Sequence, residues 1–200
     1  IIGDYDGLIV RSATKVTAEA IEKAGKLKVI GRAGAGTDNV DKDAATKRGI
    51  IVMNVPGGNT ISTCEHTFAL MFALCRNVPA AHQSMMEGRW DRKKFNGTEL
   101  AGKTIGIVGA GRIGRAVAER ARGFRMEVLL HSRGSGPPLG ELLERSDFVS
   151  LHVPLTEETR HLIGAPELRR MKRTAVLVNT ARGPIVDEAA LVAALREGRI

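Results

Sequence analysis

Aromatic residues are scarce: one Trp, one Tyr and five Phe make up 4% of 200 residues. Nucleic-acid surfaces combine clustered Lys and Arg with rings on which bases stack. Here the basic residues are scattered, so a formal charge of +8 points away from a nucleic-acid partner. It reads instead as attraction of small anionic ligands, or as a solvated surface. Cysteine is almost absent. Cys64 and Cys75, eleven residues apart on one predicted helix, would lie roughly 16 Å apart along its axis, beyond disulfide reach. They read as core thiols of a reducing cytoplasm, and a cytoplasmic location is expected. No apolar run approaches the roughly 18 residues of a membrane span, and Ile1-Ile-Gly-Asp4 lacks a basic-then-apolar leader, so neither membrane insertion nor export is indicated. No Cys/His metal spacing and no nucleophile elbow occurs, and no metal is expected. With 43% hydrophobic residues the chain can bury one good core or two small ones.

What is present centres on Gly109-Ala-Gly-Arg-Ile-Gly114, which follows the apolar run Thr104-Ile-Gly-Ile-Val108 and opens an amphipathic stretch. Strand, glycine turn and helix in that order form a dinucleotide-binding signature. Gly109 permits the tight turn, Gly111 lets backbone approach a pyrophosphate, and Gly114 lets helix and sheet pack closely. The helix N–H groups and dipole then face the anion.

Organisation follows from periodicity. Residues 8–10, 29–30 and 50–53 read as short strands alternating with helical stretches at 17–24 and 41–47. This β/α layer begins abruptly, as if its first β-α unit were missing. Pro56-Gly-Gly-Asn59 breaks the pattern, and Ser62-Thr-Cys-Glu65 offers a capping box. The following helix carries Ile61, Cys64, Phe68, Met71, Phe72, Cys75 and Val78 as a buried stripe ending near Pro79, suited to bridging two domains or two subunits. The charged segment 87–94 has Trp90 and Phe95 as apolar anchors. Strands at 104–108, 128–131, 148–151 and 175–179 then alternate with helices at 112–124, 140–145, 165–172 and 187–197. The expectation is an α/β fold, a doubly wound parallel sheet of Rossmann type at 57–200, with part of a smaller domain at 1–56. The pattern stops after a helix where a further strand is expected, so the chain reads as truncated at both ends.

Several residues are candidates for chemistry. About 20 positions past the glycines an acidic residue ordinarily holds the adenosine ribose, yet the count reaches His131-Ser132-Arg133. Ser132 and Arg133 can hydrogen-bond and pair with a 2′-phosphate, so NADP stands beside NAD as cofactor; otherwise Arg133 stacks on adenine or points into solvent. Arg182 in Val178-Asn-Thr-Ala-Arg-Gly183 ends a strand at the sheet's carboxyl edge. It is the strongest catalytic candidate, able to bind a carboxylate at two points and polarise the neighbouring carbonyl; a structural salt bridge is the alternative. Arg11 and Arg32 follow strand ends, and the turn Arg32-Ala-Gly-Ala-Gly36 can cradle an anion, although either arginine alone would more often be an exposed charge. Asn59 has the same ambiguity. None of His66, His82, His131, His152 and His161 is convincing as an acid/base; His152 is placed along the coenzyme crevice without reaching substrate.

Taken with Leu8-Ile-Val-Arg-Ser12, Gly31-Arg-Ala-Gly34, Thr37-Asp-Asn-Val-Asp41, Glu65-His66, Trp90 to Phe95, Gly102-Lys-Thr-Ile-Gly-Ile107 and Asn179 to Asp187, these motifs resemble the D-isomer-specific 2-hydroxyacid dehydrogenases over essentially the whole chain. The first segment looks most like members acting on 3-phosphoglycerate, in serine synthesis. The resemblance implies a flavodoxin-like substrate domain, a coenzyme domain inserted within it, and a homodimer or homotetramer. It assigns Arg182 the catalytic arginine position. Arg112 and Ile113 fall at pyrophosphate contacts, Ser132 at the ribose-discriminating position, and Val153, Thr180 and Ala181 along the nicotinamide side. Arg11, Ser12, Arg32 and Asn59 match substrate-binding positions.

Three departures stand out. The family's catalytic glutamate and histidine come after residue 200, so this chain alone is expected to be inactive. Ser132 replaces the acidic residue of NAD-preferring members. The connection 131–142 is short, with Gly134-Ser-Gly-Pro-Pro138 where a small helix and strand usually lie. The expected function is oxidoreduction of a small 2-hydroxy acid with NAD or NADP. The alternatives are glyoxylate or hydroxypyruvate reduction and, in another class, a coenzyme-sensing corepressor-like binding protein.

Overall fold

The computed structural model describes residues 2–200; Ile1, part of the N-terminal leader reading, lies outside the described residues. The chain divides into two compact units, Ile1–Asn59 and Thr60–Ile200.

The first unit is a three-stranded parallel sheet of β1 (Gly7–Val10), β2 (Val29–Arg32) and β3 (Ile51–Asn54), in that order. Val10 pairs with Arg32 and Arg32 with Asn54, so the three carboxyl ends are level. Helix α1 (Ala18–Glu22) starts where Thr17 Oγ1 accepts the Ala20 N–H, and α2 (Lys42–Lys47) where Asp41 accepts the Ala44 N–H. Both are shorter than, or trimmed from, the spans that periodicity suggests. Arg48 Nη1 donates to Ile21 O at 2.9 Å and Glu22 O at 2.6 Å, satisfying carbonyls at the end of α1. Val10, Ile21, Leu27, Ile30, Val40 and Ile50 form one core. The alternate strand residues Ile9, Ile51 and Met53 are 81%, 62% and 54% exposed.

The second unit begins with α3 (Thr60–Cys75) and α4 (Val78–Met86). Here four expectations need correction. Ser62 lies inside the first turn of α3 and so does not cap it. The helix does not run to Pro79: Asn77 takes a left-handed conformation, φ 53°, and Pro79 sits in the first turn of a new helix, where a missing N–H costs nothing. Ile61 and Val78, at the ends of the predicted stripe, are about half exposed, whereas Cys64, Phe68, Met71 and Cys75 are buried. Trp90 is no anchor; it is 73% exposed beside Arg89, which pairs with Glu87 and Asp91 rather than leading the chain into the core. Phe95 is half-buried.

The remainder is doubly wound: β4 (Thr104–Val108), α5 (Arg112–Gly123), β5 (Glu127–His131), α6 (Leu139–Arg145), β6 (Phe148–Leu151), α7 (Ala165–Arg170), β7 (Val176–Asn179) and α8 (Glu188–Arg196). All strands are parallel in the order β5-β4-β6-β7. Ile105, Ile107, Phe148 and Val178 pack with α3 and α5 residues such as Phe68, Met71 and Val117. Val108, Val149 and Leu151 pack with Leu142, Leu168 and Ile185 in a second cluster. Covering both faces explains the almost uninterrupted burial of β4 and β6. The chain moves from β4 to β5 and then crosses to β6, so strand order reverses between β4 and β6, where open α/β sheets form a ligand crevice.

Candidate active site

Val108 pairs with His131 and Leu151, and Leu151 with Asn179, so the four strand ends of the second unit are level. The next residues, Gly109, Ser132, His152 and Thr180, therefore begin four loops along one carboxyl edge.

Gly109 has φ 111°, and its N–H donates to His131 O at 2.9 Å. An added Cβ would lie 2.5 Å from His152 O and 3.1 Å from a Val153 methyl. At Gly114 a Cβ would collide with Gly109 O, while at Gly111 it would meet nothing within 4 Å. Two glycines thus allow turn, helix and neighbouring strand to close together, and the third borders open space. Intrahelical bonding begins with Arg115 N–H to Gly111 O at 3.0 Å, which leaves the preceding N–H groups of Arg112, Ile113 and Gly114 at the mouth of α5. Arg112 is exposed; Ile113 is half-buried against the α3/α5 core. Arg115 Nε donates to Ala110 O at 2.8 Å and pins the turn, a role that periodicity does not mark. A crevice at the switch point, a bare glycine and free helix N–H groups fit a dinucleotide's pyrophosphate.

At the end of β5, Ser132 and Ser135 exchange backbone hydrogen bonds of 2.9 and 3.1 Å, in a tight turn with Gly134 and Gly136 at positive φ. Ser132 is half-buried and Arg133 exposed. His152 follows β6. Its Nε2 is 2.8 Å from Ser150 Oγ, Nδ1 is buried without a hydrogen-bond partner, and burial pulls its pKa down to about 4. It is neutral near pH 7 and unsuited to exchanging protons there. Val153 is half-buried beside Gly109.

After β7, Asn179 Oδ1 accepts the Ala181 N–H at 3.0 Å and its Nδ2 donates to Arg182 O at 2.8 Å. Arg182 Nη1 donates to Ala181 O at 2.8 Å. Thr67 Oγ1 donates to Thr63 O at 2.9 Å and lies 3.0 Å from Thr180 Oγ1. Thr67 has one proton, so Thr180 donates to Thr67, tying the loop to α3. A cavity of about 500 Å³ brings Arg182, Thr180 and Ala181 together with Ser62, Thr63 and His66. Sequence reasoning missed the Thr67 tie and the placing of His66 beside Arg182; the i, i+4 spacing of Ser62 and His66 is the available signal. A larger cavity, about 890 Å³ and mostly apolar, runs along the outer edge of β7 and contains none of the glycine turn.

In the first unit, Asn39 Nδ2 donates to Arg11 O at 3.0 Å and Thr14 O at 2.6 Å, and its Oδ1 accepts from Arg32 Nε at 3.5 Å. Asn39 therefore gathers the loops bearing Arg11, Ser12 and Arg32 at that sheet's carboxyl edge. Arg32 also lies across Gly34, where an added Cβ would strike its guanidinium. Asn59 is exposed at the unit's last position. Among the described residues no group of three His, Cys, Asp or Glu is placed to hold a metal, and no helix is long and apolar enough to cross a membrane.

Residues 68–200 match the family described as D-isomer specific 2-hydroxyacid dehydrogenase, NAD binding domain. The chain is 51% identical to the D-3-phosphoglycerate dehydrogenase of Methanocaldococcus jannaschii, across all of this chain and 40% of that protein. It is 47% identical to the enzyme of the same name from Bacillus subtilis, across 98% of this chain and 39% of that one. It thus spans about two-fifths of the length of these relatives. The crystal structure of D-lactate dehydrogenase from Aquifex aeolicus, complexed with NAD and lactic acid, superposes with a TM-score of 0.92 at 33% identity, over 100% of this chain and 63% of that one. With the glycine turn at the switch point of a doubly wound sheet, these similarities establish that the chain belongs to the D-isomer-specific 2-hydroxyacid dehydrogenases and carries their NAD-binding domain.

Proposed function

We propose that the protein is an NAD(P)-dependent oxidoreductase acting on the CH–OH group of a D-2-hydroxy acid, with 3-phosphoglycerate the leading substrate and serine biosynthesis its setting. The observation that carries this reading is the alignment of the glycine turn, Val153, Thr180, Ala181 and Arg182 along one carboxyl edge of one sheet. The names of the relatives from M. jannaschii and B. subtilis support the substrate.

Residues Gly109 to Gly114 would hold the pyrophosphate, and Val153, Thr180 and Ala181 would border the nicotinamide. The bound coenzyme supplies hydride exchange with C2 of the acid. Arg182 binds the carboxylate through its planar fork and draws electron density from the adjoining carbonyl oxygen. Asn179 and the Thr67–Thr180 bond hold the loop that presents it. Arg11, Ser12, Arg32 and Asn59 serve the substrate's remaining anionic groups. Buried free thiols support a cytoplasmic location. Exposed Leu70, Leu74, Val78, Met85, Met86 and Trp90 support a homodimer using α3 and α4.

A second reading, a glyoxylate or hydroxypyruvate reductase, is favoured by Ser132-Arg133 at the end of β5. Following reduced-coenzyme oxidation by the complete enzyme with 3-phosphohydroxypyruvate, hydroxypyruvate and glyoxylate separates the two. In the complete enzyme, which carries the acid/base pair, Arg182→Lys is expected to lower turnover by roughly 100-fold or more, because an ammonium cannot make the planar two-point contact, with coenzyme affinity little changed. Wild-type turnover in that variant would remove the mechanism.

A further inference from the structure

Arg11 begins the loop after β1, and Arg32 is the last residue of β2. Long, flexible side chains such as these lose rotamer freedom when they bind an anion, unless something already holds them. In the first unit one residue reaches both. Asn39 Nδ2 donates to Arg11 O at 3.0 Å and to Thr14 O at 2.6 Å, while Asn39 Oδ1 accepts from Arg32 Nε at 3.5 Å. The amide nitrogen, with two protons, faces two carbonyls, and the amide oxygen faces a group that can only donate, so the side chain fits in one orientation.

Arg32 is held on two further sides. Its Nη1 donates to Ala33 O at 3.1 Å, and its guanidinium occupies the place that a Cβ on Gly34 would take. That turn is fastened to the end of β3 by Asn54 Nδ2 donating to Ala35 O at 2.7 Å and Val55 N–H to Gly34 O at 3.0 Å. Among the described residues neither Arg11 nor Arg32 pairs with a carboxylate, which leaves both charges to a ligand. The backbone of Asn39 is placed without help from its side chain. Val16 N–H donates to Asn39 O at 2.8 Å and Asp41 N–H to Val16 O at 2.9 Å, around a Val16–Val40 bridge whose side chains are buried in the unit's core. The amide is thus directed at the arginine loops while the core positions the segment that carries it.

We infer that Asn39 is the positioning residue for recognition of the acid's distal anion, and so sets the preference for a phosphorylated over an unphosphorylated substrate. It acts through its neighbours: the amide fixes the turn that carries Arg11 and orients the Arg32 guanidinium, whose fork then meets a phosphate already aligned. This role rests on the reading of Arg11 and Arg32 as substrate-binding residues and is independent of which coenzyme is bound.

Steady-state kinetics of the complete enzyme with 3-phosphohydroxypyruvate and hydroxypyruvate tests it. The wild type is expected to prefer the phosphorylated acid. Asn39→Ala should lower kcat/KM for that acid about tenfold or more, through KM, and change kcat/KM for hydroxypyruvate less than about twofold. A preference that survives Asn39→Ala would overturn the inference and leave the substrate reading standing. Equal losses on the two acids would also overturn it, by making Asn39 a residue of the fold rather than of recognition. A wild type without the preference would overturn the substrate reading, and this role with it.

Discussion

At the scale of single residues, Gly111 separates binding from folding more cleanly than its neighbours. Side chains at Gly109 and Gly114 would strike backbone, so substitution there costs stability, about 1–3 kcal/mol by overpacking. A Cβ at Gly111 meets no protein atom within 4 Å, at the residue that precedes the α5 N–H groups. Gly111→Val is therefore expected to abolish coenzyme binding in titration calorimetry while moving the urea midpoint little. Retained binding would refute the phosphate-turn assignment. His152 makes a different prediction. Its pKa lies near 4 in the folded protein against an ordinary value of 6.5. The unfolded chain binds the proton more readily, so stability falls as pH drops from 6.5 towards 4 and is unaffected above that window. Between pH 7 and pH 5 the wild type should lose about 2 kcal/mol more than His152→Asn. Parallel losses would mean that the imidazole accepts a proton in place.

Among elements, the amino end of the sheet has its own fastening. Asp147 accepts the Thr104 N–H and the Lys172 ammonium, each at 2.8 Å, joining the starts of β4 and β6 to the segment before β7. Burial would raise its pKa, but the Lys172 and Thr104 bonds outweigh this and hold the carboxyl below its usual range. Asp147→Ala leaves a strand N–H without its acceptor and should cost about 2 kcal/mol in denaturant unfolding at pH 7. A loss within about 0.5 kcal/mol would assign the clip to solvent-exposed decoration. The same scale shows what was legible in the sequence. The second unit's strands and the turn after β4 were readable because burial on both faces forces unbroken apolar runs bounded by glycine. The end of α3 was not. Pro79 reads as a stop, although proline in a first turn is a start signal, and the actual break depends on Asn77 entering the left-handed region, which nothing local announces. Trp90 reads as an anchor in the sequence because size suggests burial, but it is 73% exposed in the fold. Around the candidate site, side chains adjoining a motif were readable. Partners distant in sequence, Thr67 with Thr180 and Asn39 with Arg11, depend on packing that no single segment encodes.

For the molecule as a whole, the two units have unequal means of standing alone. Residues 60–200 bury two clusters, one on each face of a four-stranded sheet, and contain every residue assigned to the coenzyme. The first unit has one cluster on one face of three short parallel strands, with Ile9, Ile51 and Met53 bare on the other. Parallel sheets are stable when both faces are covered, and a chain near 60 residues buries too little surface to tolerate an uncovered one. Residues 60–200 expressed alone should therefore melt cooperatively and bind coenzyme with the affinity of the 200-residue chain. Residues 1–59 alone should show no cooperative transition in circular dichroism and no slowed amide exchange. A sharp transition in the smaller piece would show that one covered face suffices here. Loss of coenzyme binding by the larger piece would mean that the first unit contributes to a site its own sheet edge does not reveal.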